Sequence, residues 1–433
     1  MNSYREGVPS WSWTVELIDK LSILADAAKY DASCASSGAP NRSSRGKQGL
    51  GSSNGMGICH SFTPDGRCVS LLKVLLTNFC LFDCQYCINR RSSSIPRARF
   101  TPEEVVRLTL SFYRRNTISG LFLSSGIIRS SDYTMEQLIR VAKLLRETHQ
   151  FRGYIHLKAI PEADPALIEE AGRYADRLSA NVELPTLNSL KTLAPEKRLD
   201  TIHSAMNHMR QRIDAANDEA SADSKSAPRS ANPKRMAPRY APGGQSTQMI
   251  VGADATDDRT ILQSAQHLYR SFRLKRVYYS AFSPIPESPS GLPPAAPPLL
   301  REHRLYQADF LIRGYGFQAE ELLGRPGNLD LEIDPKLAWA LNHRDDFPVD
   351  LNRAEPAMIA RVPGIGMRSV QRLVELRRHR RIRYQDLVAL RCRMDTLRPF
   401  VITQDYRPSE SHWESQRIRQ RLTAPQPAQM ALL

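Results

Sequence analysis

The apolar and polar positions of this chain change period several times along its length. Trp13 to Ala28 repeats its apolar groups at helical spacing, which predicts one amphipathic helix. Ser36 to Gly57 has too few apolar groups to pack and reads as an irregular Ser/Gly-rich segment. From residue 69, short β-branched or apolar runs alternate with helical patterns. The runs are 69–77, 120–126, 153–159, 177–184, 246–252 and 275–282. Helical stretches follow them at 101–115, 134–149, 164–175, 188–211, 257–272 and 299–313. Start signals support the first two: Thr101-Pro102-Glu103-Glu104, and Thr134 with Gln137 three residues on. Six strand–helix units in series predict an α/β fold of parallel strands with right-handed crossovers.

Period two separates the faces of two strands. Tyr154, His156 and Lys158 share one side and Ile155, Leu157 and Ala159 the other. Likewise Ser179, Asn181 and Glu183 oppose Ala180, Val182 and Leu184. Central strands of a doubly wound sheet are apolar on both faces. A polar face instead favours a barrel whose interior holds a polar ligand. The pattern is interrupted at 215–242, which reads as a mobile insertion, and at 284–298, a stiff proline-rich connector. The expected organisation is an N-terminal helix and Ser/Gly-rich segment (1–57), a barrel (58–330), a small all-helical module (331–407) and a flexible tail (408–433).

Composition narrows the class. The apolar share of 41% is that of a globular protein, and no run approaches the roughly 20 apolar residues a membrane span needs. The first residues lack the basic start and apolar core of a signal peptide, so a cytoplasmic setting is expected. A net charge of +15 points to a polyanionic partner, nucleic acid first, and arginines concentrate between Arg361 and Arg407. Six of the seven cysteines fall within the first 87 residues, which favours metal ligation over disulfides.

Cys80, Cys84 and Cys87 are spaced C-x3-C-x2-C directly after the first strand run. Three thiolates at this spacing can take three irons of a cubane and leave the fourth open to another ligand. A zinc site completed by His60 is the alternative, although structural zinc sites pair C-x2-C units and no second such unit exists here. With Tyr86 before the last cysteine, the motif resembles that of the radical S-adenosylmethionine (SAM) superfamily. The resemblance implies a partial (βα)6 barrel, a [4Fe–4S] cluster, and SAM held on the unique iron by its amino and carboxylate groups. It implies that an injected electron splits SAM into methionine and a 5′-deoxyadenosyl radical, with a flavodoxin- or ferredoxin-type reductant as electron source. By the same resemblance Ser124-Ser125-Gly126 stands where the family carries a Gly-Gly-Glu-like segment for the SAM amino group. Asn181 and Glu183 stand where the family places ribose-binding groups, and Gly252 where a glycine admits adenine. Lys158 could pair with the SAM carboxylate or a substrate phosphate, or serve a structural ion pair. Cys34, Cys59 and Cys68 form a candidate auxiliary iron–sulfur site, with simple buried cysteines as the alternative.

Residues 349–380 read as helix, tight turn and helix, with Pro363-Gly364-Ile365-Gly366 as the turn. This resembles a helix-hairpin-helix motif. Gly364 and Gly366 would let backbone N–H groups reach a phosphate, and Arg368 and Arg372, with Arg377 and Arg378, would add charge. A purely structural hairpin with solvated arginines is the alternative. Stretches such as LLTNFCLFDCQYCINRRS, STQMIVGA and REHRLYQADFLIR resemble the DNA modification or repair group of radical SAM proteins. That resemblance implies radical chemistry on a DNA nucleotide. RNA or a protein as substrate, and a non-enzymatic DNA-binding protein with a structural cluster, are the rival readings.

Overall fold

The computed structural model describes residues 15–28, 58–62, 68–226, 239–289, 291–324, 327–409 and 414–423. Contacts divide the chain into two units, Met1–Asp254 with Leu268–Ala296, and Ala255–His267 with Pro297–Leu433. The division falls earlier than the expected boundary at 330, because the helix after the last barrel strand packs with the C-terminal elements.

In the first unit, α1 (Val15–Ala27) precedes a seven-stranded sheet whose spatial order is its chain order. β1 (Ile58–Phe62) runs antiparallel to β2 (Cys68–Leu75). From β2 onward all neighbours are parallel: β3 (Gly120–Ser124), β4 (Tyr154–Lys158), β5 (Arg177–Ser179), β6 (Gln245–Val251) and β7 (Arg276–Ala281). The crossovers carry α2 (Pro102–Arg114), α3 (Ser131–Lys143), α4 (Pro165–Tyr174), α5 (Leu187–Leu193), α6 (Leu199–Ser226) and α7 (Asp258–Phe272), the last counted with the second unit as far as His267. Among the described residues the last strand does not pair back to the first, so the sheet is a partial (βα)6 barrel.

The helices start where local chemistry satisfies their first N–H groups. Thr101 and Glu104 form the expected reciprocal cap of α2. The α3 cap is Ser130, whose side chain accepts from the Tyr133 N–H. The expected start at Thr134 is thus one turn late, and Thr134 instead donates its hydroxyl to the carbonyls of Ile128 and Ser130. The segment 215–242, expected to be a mobile insertion, is helical as far as Ser226. Its alanines at 215, 216, 220 and 222 have the highest helix propensity of any residue. Residues 227–238 lie outside the described residues, as does the Ser/Gly-rich run.

The polar interior face is present. Lys73, Phe122 and His156 occupy one register row of β2, β3 and β4. The His156 ring stacks on Phe122 with centroids 4.2 Å apart, and its Nε2 lies 3.0 Å from the Ser179 hydroxyl. Lys73 Nζ lies 5.5 Å from the centroid of the Phe122 ring. The functional wall lies one layer further along the strands.

The second unit contains α8 (Leu299–Tyr315), α9 (Pro335–Asn342), β8 (Val349–Asp350), α10 (Pro356–Arg361), α11 (Met367–His379), α12 (Tyr384–Ala389), α13 (Met394–Leu397), β9 (Val401–Ile402) and α14 (Ser415–Thr423). It is not wholly helical, since β8 and β9 form a short parallel pair. Edge-to-face contacts among Phe317, Trp339, Phe347 and Phe400 build its core. The tail after 408, expected to be flexible, includes α14, which Arg419 fastens to Asp330 and Glu332. No helix among the described residues is long and apolar enough to cross a membrane.

Candidate cluster and cofactor site

The cysteines lie in the irregular connection between β2 and α2, and the chain braces that connection from within. Thr77 donates its hydroxyl to the Ala98 carbonyl at 2.9 Å. Asn78 both donates to the Pro96 carbonyl and accepts from the Ala98 N–H. Arg97 spans the loop interior, donating to the carbonyls of Asn78, Asn89, Arg90 and Ser93. Burial pulls the Arg97 guanidinium below its ordinary range, and the neighbouring Cys80 and Cys87 act against that.

Gly126 explains how the next strand's loop meets this one. A Cβ there would lie 2.2 Å from the Phe79 carbonyl oxygen and 3.3 Å from Cys80 Cβ. The close approach lets Gly126 N–H donate to Thr77 at 2.8 Å and Leu81 N–H to Ile127 at 2.8 Å. The Ile127 N–H points at Cys80 Sγ, 3.5 Å away.

Burial pushes the Cys84 thiol up to about 12 and the Cys87 thiol up to about 11. Such thiols ionise readily only when a cation compensates the lost hydration, as iron would. Among the described residues no three His, Cys, Asp or Glu side chains converge on one point, as a mononuclear site would need. A cubane distributes its thiolates over separate irons. The donor set therefore fits an iron–sulfur cluster.

A cavity of about 460 Å³ opens beside these cysteines at the C-terminal ends of the parallel strands. Its wall includes all three cysteines and Tyr86, and from the strand ends Ser125, Gly126, Lys158, Asn181 and Glu183. These expected residues are brought together. Ser124 and Gly252 are not on the wall. The Ser124 hydroxyl is buried without a partner, and Gly252 holds a left-handed backbone (φ 78°) just past β6. The Ser125 hydroxyl turns onto the Gly126 carbonyl at 2.6 Å. Tyr86 is half-buried, its hydroxyl is withdrawn from solvent near Cys84 and Glu183, and burial raises its pKa well above the ordinary value.

Two further charged residues stand on the wall: Glu162 lies between predicted elements, and Lys197 lies where the predicted helix 188–211 breaks into α5 and α6. Lys197, between α5 and α6, places Nζ 2.5 Å from Glu183 Oε1. Burial favours the neutral amine, but the Glu183 carboxylate outweighs it and holds Lys197 protonated beyond the usual lysine range. Glu162, just after β4, keeps one buried oxygen without a hydrogen-bond partner, and burial raises its pKa. Neither has a sequence signal for a site: Glu162 sits in an irregular segment, and the helical pattern read over 188–211 hides the break that brings Lys197 to the wall.

No protein-family model matches the chain, and no curated protein matches it. Among solved structures, one similar chain is the FeFe-hydrogenase maturase HydG from Carboxydothermus hydrogenoformans. It is 16% identical, with a TM-score of 0.40, over 55% of this chain and 50% of that one. Methylornithine synthase (PylB) is 14% identical, with a TM-score of 0.39, over 66% of each chain. The radical S-adenosylmethionine methyltransferase TsrM from Kitasatospora setae, with cobalamin and a [4Fe-4S] cluster bound, is 12% identical at a TM-score of 0.32. That match covers 80% of this chain and 60% of TsrM. The chain spans about half the length of the maturases it matches. Scores at this level carry no argument, so the chemistry has to be read from the chain's own residues.

The auxiliary site is not assembled by what is described. Cys34 lies outside the described residues, and so do the side chains of Cys59 on β1 and Cys68 on β2. Cys392 is buried in the second unit.

In the second unit α10, the turn and α11 form the expected hairpin. Gly364 has φ 87°, and a Cβ there would stand 2.9 Å from the Arg393 carbonyl oxygen. Gly366 caps α11 without any side chain, which leaves the first-turn N–H groups without a side-chain acceptor. Arg368 and Arg372 are exposed on α11. Arg377 instead donates to the Ala354 carbonyl at 2.6 Å, and Arg378 pairs with Glu375 at 3.0 Å. These two serve the hairpin itself.

Proposed function

We propose that this chain is a radical SAM enzyme of the cytoplasm that acts on nucleic acid, in DNA modification or repair. The observation that carries the reading is the braced three-cysteine loop opening onto a polar cavity at the strand ends. Cys80, Cys84 and Cys87 would hold the [4Fe–4S] cluster, and Lys158, Asn181, Glu183 and Glu162 offer polar groups to SAM and substrate. When bound and reduced, the cluster supplies the electron that cleaves SAM to methionine and a carbon-centred radical. The protein's own part is to bind, orient and exclude water. Leu75, Ile127, Ile160 and Phe282 give the cavity an apolar lining between its charged groups, which strengthens every polar contact inside it.

The nucleic-acid half rests on the second unit. An uncapped helix start after a glycine turn, with exposed Arg368 and Arg372 beside it, suits a sugar-phosphate backbone. Such contacts carry no sequence information, and a base inside a duplex would have to be flipped out or already unpaired. A flavodoxin- or ferredoxin-type protein is the proposed reductant. Fluorescence anisotropy with duplex DNA, single-stranded DNA, RNA and a polyanion control tests the substrate class. Tightest binding to DNA supports the reading, preference for RNA moves the substrate, and binding no better than the polyanion removes nucleic acid from it.

A further inference from the structure

We infer that Phe79, Leu81 and the arginines around them form the face on which an acidic electron-carrier protein docks to reduce the cluster. The inference rests on the radical SAM reading above and gives its reductant a place on the chain.

The cysteine loop has two sides. Cys80 lines the cavity, whereas its neighbours Phe79 and Leu81 do not. Both stand in solvent, with exposures of 47% and 45%. Among the large apolar side chains that the described residues expose, these two alone adjoin a cluster cysteine. The backbone that carries them is fixed. Phe79 N–H donates to the Thr77 hydroxyl at 3.2 Å, and the Phe79 carbonyl packs against Gly126. Leu81 N–H donates to the Ile127 carbonyl at 2.8 Å. Two large apolar groups on a fixed loop leave water only when a partner covers them.

The charge around the pair selects the partner. Between Asn78 and Phe100 the chain carries four arginines and one acid, Asp83. Asp83 is occupied by the N–H and hydroxyl of Ser92, at 2.9 and 2.8 Å. Arg90 and Arg97 turn inward to carbonyl groups. Arg91 stays exposed, its N–H on the Phe82 carbonyl at 2.9 Å. From the next loop Arg129, two residues past Ile127, is exposed with its guanidinium 4.6 Å from the Tyr133 ring centroid. Arg99 donates to the hydroxyl of the same tyrosine at 2.8 Å. Among the described residues none of Arg91, Arg99 and Arg129 is paired with a carboxylate.

A small apolar centre with a cationic rim fits an acidic protein that binds briefly, and electron-transfer encounters use interfaces of the smallest class. The carrier gives up one electron, the cluster gains it, and no bond on this chain forms or breaks. Cys80, between the two apolar residues, links the face to the cluster. Nucleic acid, which also answers to arginine, is the rival occupant.

The test uses the full chain with its cluster reconstituted, under anaerobic conditions. Stopped-flow absorbance follows cluster reduction by photoreduced flavodoxin, by reduced ferredoxin and by dithionite, each over a range of salt. At least one carrier should reduce the native protein at a rate that falls with salt, and the faster one names the carrier type. Phe79→Ser with Leu81→Ser should slow that carrier about tenfold. Arg91→Gln with Arg129→Gln should slow it about tenfold at low salt and flatten the salt dependence. Both variants should keep native iron content and the native dithionite rate. If the apolar variant loses iron, the arginine variant decides. Unchanged carrier rates in iron-loaded variants overturn the inference, and a fall in their affinity for single-stranded DNA would then assign the face to nucleic acid. An equal loss with dithionite overturns it as well, because the defect then lies in the cluster and not in docking. So does a native cluster that dithionite reduces and neither carrier does. A loaded native cluster that dithionite cannot reduce overturns the radical SAM reading instead.

Discussion

Arg97 offers the sharpest perturbation of the cysteine loop. Its guanidinium reaches four carbonyls, of which three are at 2.9, 2.6 and 3.0 Å, from Asn89, Arg90 and Ser93. A hydrogen bond to a charged group contributes roughly 1.5–3 kcal/mol, and bonds sharing one donor are not additive. If only two count fully, loosening the loop costs on the order of 3–6 kcal/mol. Because the cost is local to the loop, it should appear in cluster loading before it appears in global melting. Arg97→Met is therefore expected to lose most of its iron and sulfide after anaerobic reconstitution, with a Tm only a few degrees below native. Arg97→Lys should recover little, since a single ammonium has three donors on one point and cannot span four carbonyls. Iron and sulfide per chain are the assay, with near-ultraviolet circular dichroism to confirm the fold. Native iron loading in Arg97→Met would refute the claim that this side chain organises the ligand loop.

Three further outcomes are expected. Gly364→Ala forces a side chain into a left-handed turn and against the Arg393 carbonyl, so thermal melting should show a loss of about 1–3 kcal/mol. Arg368→Gln with Arg372→Gln should weaken binding to all DNA sequences alike and lower the salt slope of log K by about 2, as salt titrations would show. Lys336, 7% exposed, donates to the Ile365 carbonyl at 2.7 Å, and burial pulls its pKa down to about 7. The unfolded lysine then binds more protons than the folded one between pH 7 and 10.5, so this residue's contribution to stability rises with pH across that window. Below pH 7 its penalty is fully present. Denaturant midpoints at pH 7 and pH 9.5 should differ less in Lys336→Met than in the native chain, and an unchanged difference would refute the burial argument.

How much of this was legible in the sequence depends on periodicity. The parallel strands and the polar face of β4 could be read because strand alternation writes itself into residue order. β5 was overextended, because the polar residues after Ser179 still alternate while the backbone has already left the sheet for the turn at Glu183. β1 was missed, since Ile58–Phe62 is a short run with a cysteine, a histidine and a serine. The three cysteines and the hairpin glycines carry position-specific signatures. Arg97, Glu162 and Lys197 have none, because each lies in an irregular segment and acquires its role only when distant loops meet. Gly126 was legible only as part of a segment expected to hold the SAM amino group; its steric role, making room for the Phe79 carbonyl, was not.

The most direct test of the central claim is the reductive cleavage of SAM. Reconstituted protein, dithionite and SAM are combined anaerobically, and 5′-deoxyadenosine is quantified with and without DNA. The account predicts 5′-deoxyadenosine from the native chain, more of it with DNA, and none from Cys84→Ala. A fully loaded native cluster that yields no 5′-deoxyadenosine under any of these conditions would contradict it.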